Sequence, residues 1–235
     1  MSKIQEMPPS ERPREKAFCS GVRSLTDREI LAVLLRTGIK GNDVMESAQN
    51  LLEKAGNLSG LMKMSIREIS SVKGVSRIKA LELLTAFELC RRVRYENAEI
   101  RGAAGDSLAV VSWLQSEIGS SLQEQFLAVF LDKSLHIVSY KTLFQGTIDS
   151  SEVHPREIFK NAYLENSTAV ILVHNHPSGV PEPSDSDILT TIRLIKAAQI
   201  MDVTILDHLI VSASSYFSFS DSGLMKQCMD NADKR

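Results

Sequence analysis

Long apolar runs are missing from this 235-residue chain. None approaches the roughly 20 residues that cross a bilayer, so the sequence offers no membrane span. The first residues, MSKIQEMPPSERPREK, lack the apolar stretch of a secretory signal. Cysteine is scarce: Cys19, Cys90 and Cys228 are odd in number and far apart. That argues against a disulfide framework and suits a reducing cytoplasm, the expected location. No cysteine stands in the Pro-Cys-x-x-Cys arrangement that supplies zinc ligands in nucleobase deaminases, which excludes that chemistry. Internal repeats and low-complexity segments are absent as well.

The charge that is present is unevenly placed. The net charge of −2 combines a basic first part with an acidic second part. Residues 1–104 hold 18 Lys and Arg against 13 Asp and Glu, a net of +5; residues 105–235 hold 9 against 16, a net of −7. All five histidines (136, 154, 174, 176 and 208) lie in the second part. Two domains with different partners would account for the split, and so would chance variation on solvated faces.

The patterns along the chain agree with two domains. Residues 1–16, polar and carrying three prolines, read as a loosely docked tail. Thr26 and Glu29 have capping-box spacing ahead of ILAVLL, with Gly38 closing that helix. Asp43 to Ala55 reads as a second helix ended by Gly56, a short piece follows at 58–62, and Ser65 with Glu68 opens another. After a break at Lys73-Gly74-Val75, a long helix is expected over 76–95. The polar, glycine-containing stretch 97–106 is the linker candidate.

Beyond it the pattern alternates. A helix is expected over 107–119, a strand over 126–132 and its hairpin partner over 135–144. A helix starts at Pro155 and runs to about 165, a buried strand covers 168–173, and a helix begins at Ser184 or Asp185 and reaches about 200. VTILDHLIVS holds one or two more strands. The fold class that follows is an all-α domain over 1–96 and an α/β domain around a mixed sheet over 107–235.

The stretch AVILVHNHPSGVPEPSDSD places His174 and His176 at the end of the buried strand. Residues i and i+2 of a strand share a face, so two imidazoles project side by side where α/β sheets commonly place ligands. Two imidazoles can be two corners of a tetrahedral metal site. The turn after them can return Asp187 to the same point, giving His-x-His-x10-Asp. A plainer reading is also available. Ser184 and Asp187 are spaced as a capping box, and a carboxylate in a first helical turn is favoured without a metal. The histidines could equally be hydrogen-bonded polar ends of a core strand. The letters HNH invite a nuclease reading, but that class disperses its three naming residues over a hairpin and a helix.

The residues also carry a resemblance. His174-x-His176-Pro177 followed by Ser184-x-x-Asp187 resembles the JAMM (MPN+/JAB) metalloprotease pattern. VHPREIF (153–159), LVHNHPSG (172–179), LDHLIV (206–211) and LTDREILAVLLRTGIKG (25–41) resemble the RadC family of that superfamily. The resemblance implies a JAB1/MPN-like fold and a Zn2+ ion held by His174, His176 and Asp187, with water as fourth ligand. It implies a glutamate just ahead of a buried strand acting as general acid and base, here Glu124, with Glu152 and Glu157 as rivals. It implies that Ser184 donates to a developing oxyanion. The activity implied is hydrolysis of amide or isopeptide bonds in a peptide substrate of unknown identity. Asp207 and His208 could support the ligands from behind or be structural; a His–Asp pair inside a strand is as often a satisfied core pair, so they stay outside the site.

In the basic half, SVKGVSRIKALELL (71–84) resembles a helix-hairpin-helix, a device that offers backbone N–H groups to a phosphate without reading bases. Lys73, Gly74, Arg77 and Lys79 are its candidate contacts to duplex DNA. Ser76 replaces the usual second glycine, and the motif also serves as a packing device. Two other functions therefore stay open: a DNA-repair-associated binding module with a structural or vestigial metal, and a metal-dependent nuclease.

Overall fold

Side-chain caps set the start of four helices in the first part of the chain. The computed structural model describes residues 3–105, 107–146 and 153–233. It begins with α1 (Lys3–Glu6) and α2 (Pro13–Ser20), where a loose tail is expected from sequence. The correction has a local cause. Pro13 is pre-shaped for a first helical turn and is buried, and Lys16 pairs with Glu29 at 2.9 Å. The capping box of Thr26 and Glu29 opens α3 (Asp27–Leu35), and Asp43 caps α4 (Val44–Ala55) through the Glu46 N–H at 2.8 Å. Asn57 caps α5 (Leu58–Lys63), and Ser65 with Glu68 boxes α6 (Ile66–Ser70). Each such cap contributes about 1 kcal/mol. A turn through Gly74, at φ +88°, leads into α7 (Arg77–Gly105).

The chain divides into two compact units, residues 1–90 and 91–235. The first is all-helical, with a core of Leu31, Leu35, Leu51, Leu61, Ile69 and Leu83 among others. Residues 97–105, expected as linker, continue α7 instead. Their alanines and charged residues suit a helix, and the glycines there are too few to break it.

The second unit continues with α8 (Ser107–Glu117), β1 (Glu124–Leu131), β2 (Ile137–Gly146), α9 (Pro155–Leu164), β3 (Ala169–Asn175), α10 (Asp185–Met201), β4 (Thr204–Val211), β5 (Tyr216–Ser218) and α11 (Leu224–Asp233). The strands form one mixed sheet in the order β2-β1-β3-β4-β5. Among the described residues only the β3–β4 pair is parallel, bridged by α10; the other pairs are antiparallel.

Period-2 alternation sorts the side chains between two cores. Phe126, Ala128, Phe130, Val170 and Leu172 pack on the face covered by α9, α10 and α11. Leu127, Val129, Leu131, Ile171 and Val173 pack on the other, against Val110, Trp113 and Leu114 of α8. The result is an α/β/α sandwich whose central strand β3 is buried along its whole length. Among the described residues no helix is long and apolar enough to cross a membrane.

Candidate metal centre

His174 inherits its direction from that alternation. It follows Leu172 on the α10 face, with its ring parallel to that of Phe126 and 6.2 Å away between centroids. Asn175 points to the opposite face, and His176 follows just past the strand end on the His174 side. The two Nε2 atoms stand 3.0 Å apart. Asp187 arrives from the first turn of α10, with Oδ1 3.3 Å from His174 Nε2 and Oδ2 3.7 Å from His176 Nε2. Glu124, the first residue of β1, completes the cluster. Its carboxylate and the two imidazoles offer ligand atoms within 4.8 Å of one another.

The hydrogen bonds behind these groups decide where protons can be. His176 Nδ1 lies 2.9 Å from the carbonyl of Val180. A carbonyl only accepts, so Nδ1 carries a proton and Nε2 faces the cluster, donating to Asp187 when protonated and offering a lone pair when not. His174 is fully buried, and burial holds it down at about pKa 4, against the opposing pull of Asp187. Burial alone would raise Asp187. Bonds from His176 and Ser184 and the nearby His174 outweigh that and hold the carboxyl well below the usual range. His176 is raised, first by Asp187 and then by its bond to Val180. Two imidazole nitrogens and a carboxylate therefore converge on one place, an arrangement that attracts a cation. Nitrogen and carboxylate oxygen donors are what zinc takes in catalytic sites. Glu124, half-buried, is pushed up to about 7 mainly by burial, with Asp187 adding to the rise and His176 opposing it.

Ser184 takes both cap roles with Asp187. Its N–H donates to Oδ2 at 2.8 Å, its hydroxyl to Oδ2 at 2.6 Å, and its Oγ accepts the Asp187 N–H at 3.2 Å. The hydroxyl proton is thus turned to Asp187, so the box that starts the helix also orients the carboxylate. Glu157 sits in the first turn of α9, 3.4 Å from Arg156. Glu152 lies outside the described residues.

Sequence reading leaves His208 out, yet it stands directly behind His174, with His208 Nε2 2.9 Å from His174 Nδ1. Its other nitrogen meets Thr191 Oγ1 at 2.7 Å. Thr191 could have been found, because it lies one helical turn beyond Asp187. The face taken by His208 could not, because it depends on an irregularity in β4. Val170 pairs with Ile205 but Ile171 pairs with Asp207, so one residue is extra. A single inserted residue reverses the faces of everything after it. Ile205 points to the α10 face and Leu209 to the other, and that change of parity puts His208 beside His174. Asp207 fastens the bulge. Its Oδ1 accepts the N–H groups of His208 at 2.7 Å and Ser220 at 2.9 Å, and its Oδ2 accepts the Ser218 hydroxyl at 2.6 Å.

In the first unit, the hairpin residues are largely occupied within the fold. Lys79 donates to the carbonyls of Gly74, at 3.1 Å, and Thr37. Lys73 Nζ is 3.5 Å from the Gly41 carbonyl, and its own carbonyl accepts from Asn42 at 3.1 Å. Arg77 is exposed at the start of α7.

Comparison with known proteins finds two matching family models. Residues 105–224 match the RadC-like JAB domain, and residues 4–81 match the UPF0758 N-terminal domain. A UPF0758 protein of Methylibium petroleiphilum is 40% identical over 222 residues, covering 94% of this chain and all of the relative. UPF0758 proteins of Desulfitobacterium hafniense and Marinobacter nauticus are 38% and 39% identical, covering 95% and 93% of this chain and 98% and 97% of theirs. With the His-x-His pair set in a JAB-like sandwich and a helical unit earlier in the sequence, the chain belongs to the RadC-like JAB-domain family, among its UPF0758 members.

Proposed function

We propose that this protein is a zinc-dependent hydrolase of amide or isopeptide bonds. The observation that carries the reading is the meeting of His174, His176 and Asp187, with Glu124 beside them. His174, His176 and Asp187 are the residues that would hold the metal. When bound, a zinc ion polarises a carbonyl and lowers the pKa of a water from roughly 15.7 to about 7.

The remaining work falls to the chain. Glu124, with its pKa raised into the neutral range by burial, takes a proton from water at its carboxylate and returns it to the leaving nitrogen. A base whose pKa matches the working pH does this best. Ser184 orients Asp187, as its two bonds to Oδ2 require. A site with one carboxylate among the ligands and two imidazoles suits a single zinc better than the paired Mg2+ ions of many nucleases, which disfavours the nuclease reading. The test is metal analysis of the purified protein, followed by assay against a panel of peptide and isopeptide substrates. One zinc per chain together with cleavage abolished by Glu124→Gln supports the proposal. Zinc-independent cleavage, or no metal uptake by folded protein, overturns it.

A further inference from the structure

We infer that His208 and Thr191 are positioning residues: they fix His174 in the tautomer that turns its Nε2 lone pair toward the metal position. This rests on the metal site proposed above. The argument begins from a group with one proton to give. The Thr191 hydroxyl donates to the backbone carbonyl of Asp187 at 2.6 Å. Its oxygen can then only accept from His208 Nδ1, 2.7 Å away, so His208 carries its proton on Nδ1. The His208 ring is fully buried and stacked on Phe219 at 4.8 Å. Its nearest carboxylate by sequence, Asp207, is turned to backbone N–H groups and Ser218. With its ring proton on Nδ1, His208 presents Nε2 as an acceptor. At 2.9 Å it must accept from His174 Nδ1, which leaves His174 Nε2 without a proton, facing Asp187 and His176.

The chain of bonds closes on itself. It leaves the Asp187 backbone, passes through Thr191 and His208 to His174, and returns across the metal position to the Asp187 side chain. Two ligands from different elements, β3 and α10, are thereby set by a third element, β4. Ligating histidines usually donate their second nitrogen to a carboxylate, carbonyl or water. Here the acceptor is a second histidine, present on that face only because of the Asp207 bulge.

The test uses the full-length protein, histidine-labelled with 15N, and zinc as the probe. Side-chain nitrogen NMR of the metal-free protein should show His174 and His208 both protonated at Nδ1. Zinc titration against a chromophoric chelator should show Thr191→Val and His208→Leu binding about 10- to 100-fold more weakly than wild type, the usual cost of losing such a partner. His208→Gln, which can present an acceptor oxygen to His174 Nδ1, should recover most of that loss. Thermal melts establish that each variant is folded. If His208→Leu does not fold, Thr191→Val and the tautomer measurement decide. An Nε2–H tautomer for His174 overturns the inference, and so does zinc affinity within about twofold of wild type in folded Thr191→Val. A wild-type protein that shows the expected tautomers but binds no zinc would overturn the metal site and leave the tautomer relay standing.

Discussion

Asn175 Oδ1 accepts the backbone N–H of Gln125 at 2.8 Å. The residue between the two histidines therefore grips the strand that carries Glu124. Its amide also donates to the carbonyl of Gln123 at 3.2 Å, so both neighbours of Glu124 are tied to one fully buried side chain. Asn175→Ala would leave the Gln125 N–H unpaired, at about 1–3 kcal/mol, while the Gln123 carbonyl keeps its bond from the Ser121 hydroxyl at 2.8 Å. The expected result is a lower melting temperature and faster amide exchange at Gln125. Unchanged exchange there would refute the clamp.

Glu124 gives a pH-dependent prediction. Burial raises its pKa from 4.5 to about 7, so the folded metal-free protein binds a proton here that the unfolded chain has already released. The resulting stability is fully present below the unfolded value and is lost as pH rises through about 7. Glu124→Gln has no proton to lose. Its metal-free melting temperature should gain on wild type between pH 4.5 and 8, with the gap opening mainly below pH 7. Hydrolysis should fall by about 10²–10⁴ in the same variant, with zinc content unchanged. A gap that stays constant with pH would contradict the shift.

The ligands make a different prediction. His174→Ala and Asp187→Asn each remove one donor of the proposed set, so zinc per chain should fall from about one to a small fraction under chelator competition. Ser184→Ala removes the hydroxyl bonded to Asp187 Oδ2 at 2.6 Å but no ligand, so it should weaken zinc without abolishing binding. It should also cost about 1 kcal/mol as a lost helix cap. Full zinc occupancy in His174→Ala would remove that residue from the set.

What the sequence discloses depends on whether the information is local. Both capping boxes in the first unit, and the one at Ser184, form as their spacing predicts, because each involves four consecutive residues. The His174 and His176 pair is legible for the same reason, since strand period puts them on one face. The layered fold and its mixed sheet follow from the alternation of apolar runs. The face of His208 is not legible. In a regular strand starting from Ile205 it would face α8, and only the extra residue ahead of Asp207 turns it to the site. That bulge is held by Ser218 and Ser220, more than ten residues away, and no periodicity records it. The helical continuation over 97–105 was hidden by its glycines, and the order in 3–20 by contacts such as Lys16 with Glu29 that only folding supplies.

The hairpin in the first unit separates packing from binding. Gly74 has φ +88°, and a Cβ there would lie 2.1 Å from Ser47 Oγ and 2.8 Å from Asn42 Nδ2. Those two side chains are buried and bonded to each other at 2.7 Å, so neither can retreat without breaking that bond. Gly74→Ala therefore adds a strained φ to a steric clash and should cost more than about 1 kcal/mol. Lys79→Met would remove an ammonium that now closes the hairpin over the Gly74 and Thr37 carbonyls, so it too should lower the melting temperature. Arg77→Ala touches neither feature and should leave stability within about 0.5 kcal/mol of wild type. Measuring all three variants for duplex-DNA binding at two salt concentrations then isolates recognition from folding. A salt-sensitive loss in Arg77→Ala, at unchanged melting temperature, would mark a phosphate contact. Equal DNA binding in Arg77→Ala and wild type would mark the hairpin as a packing device.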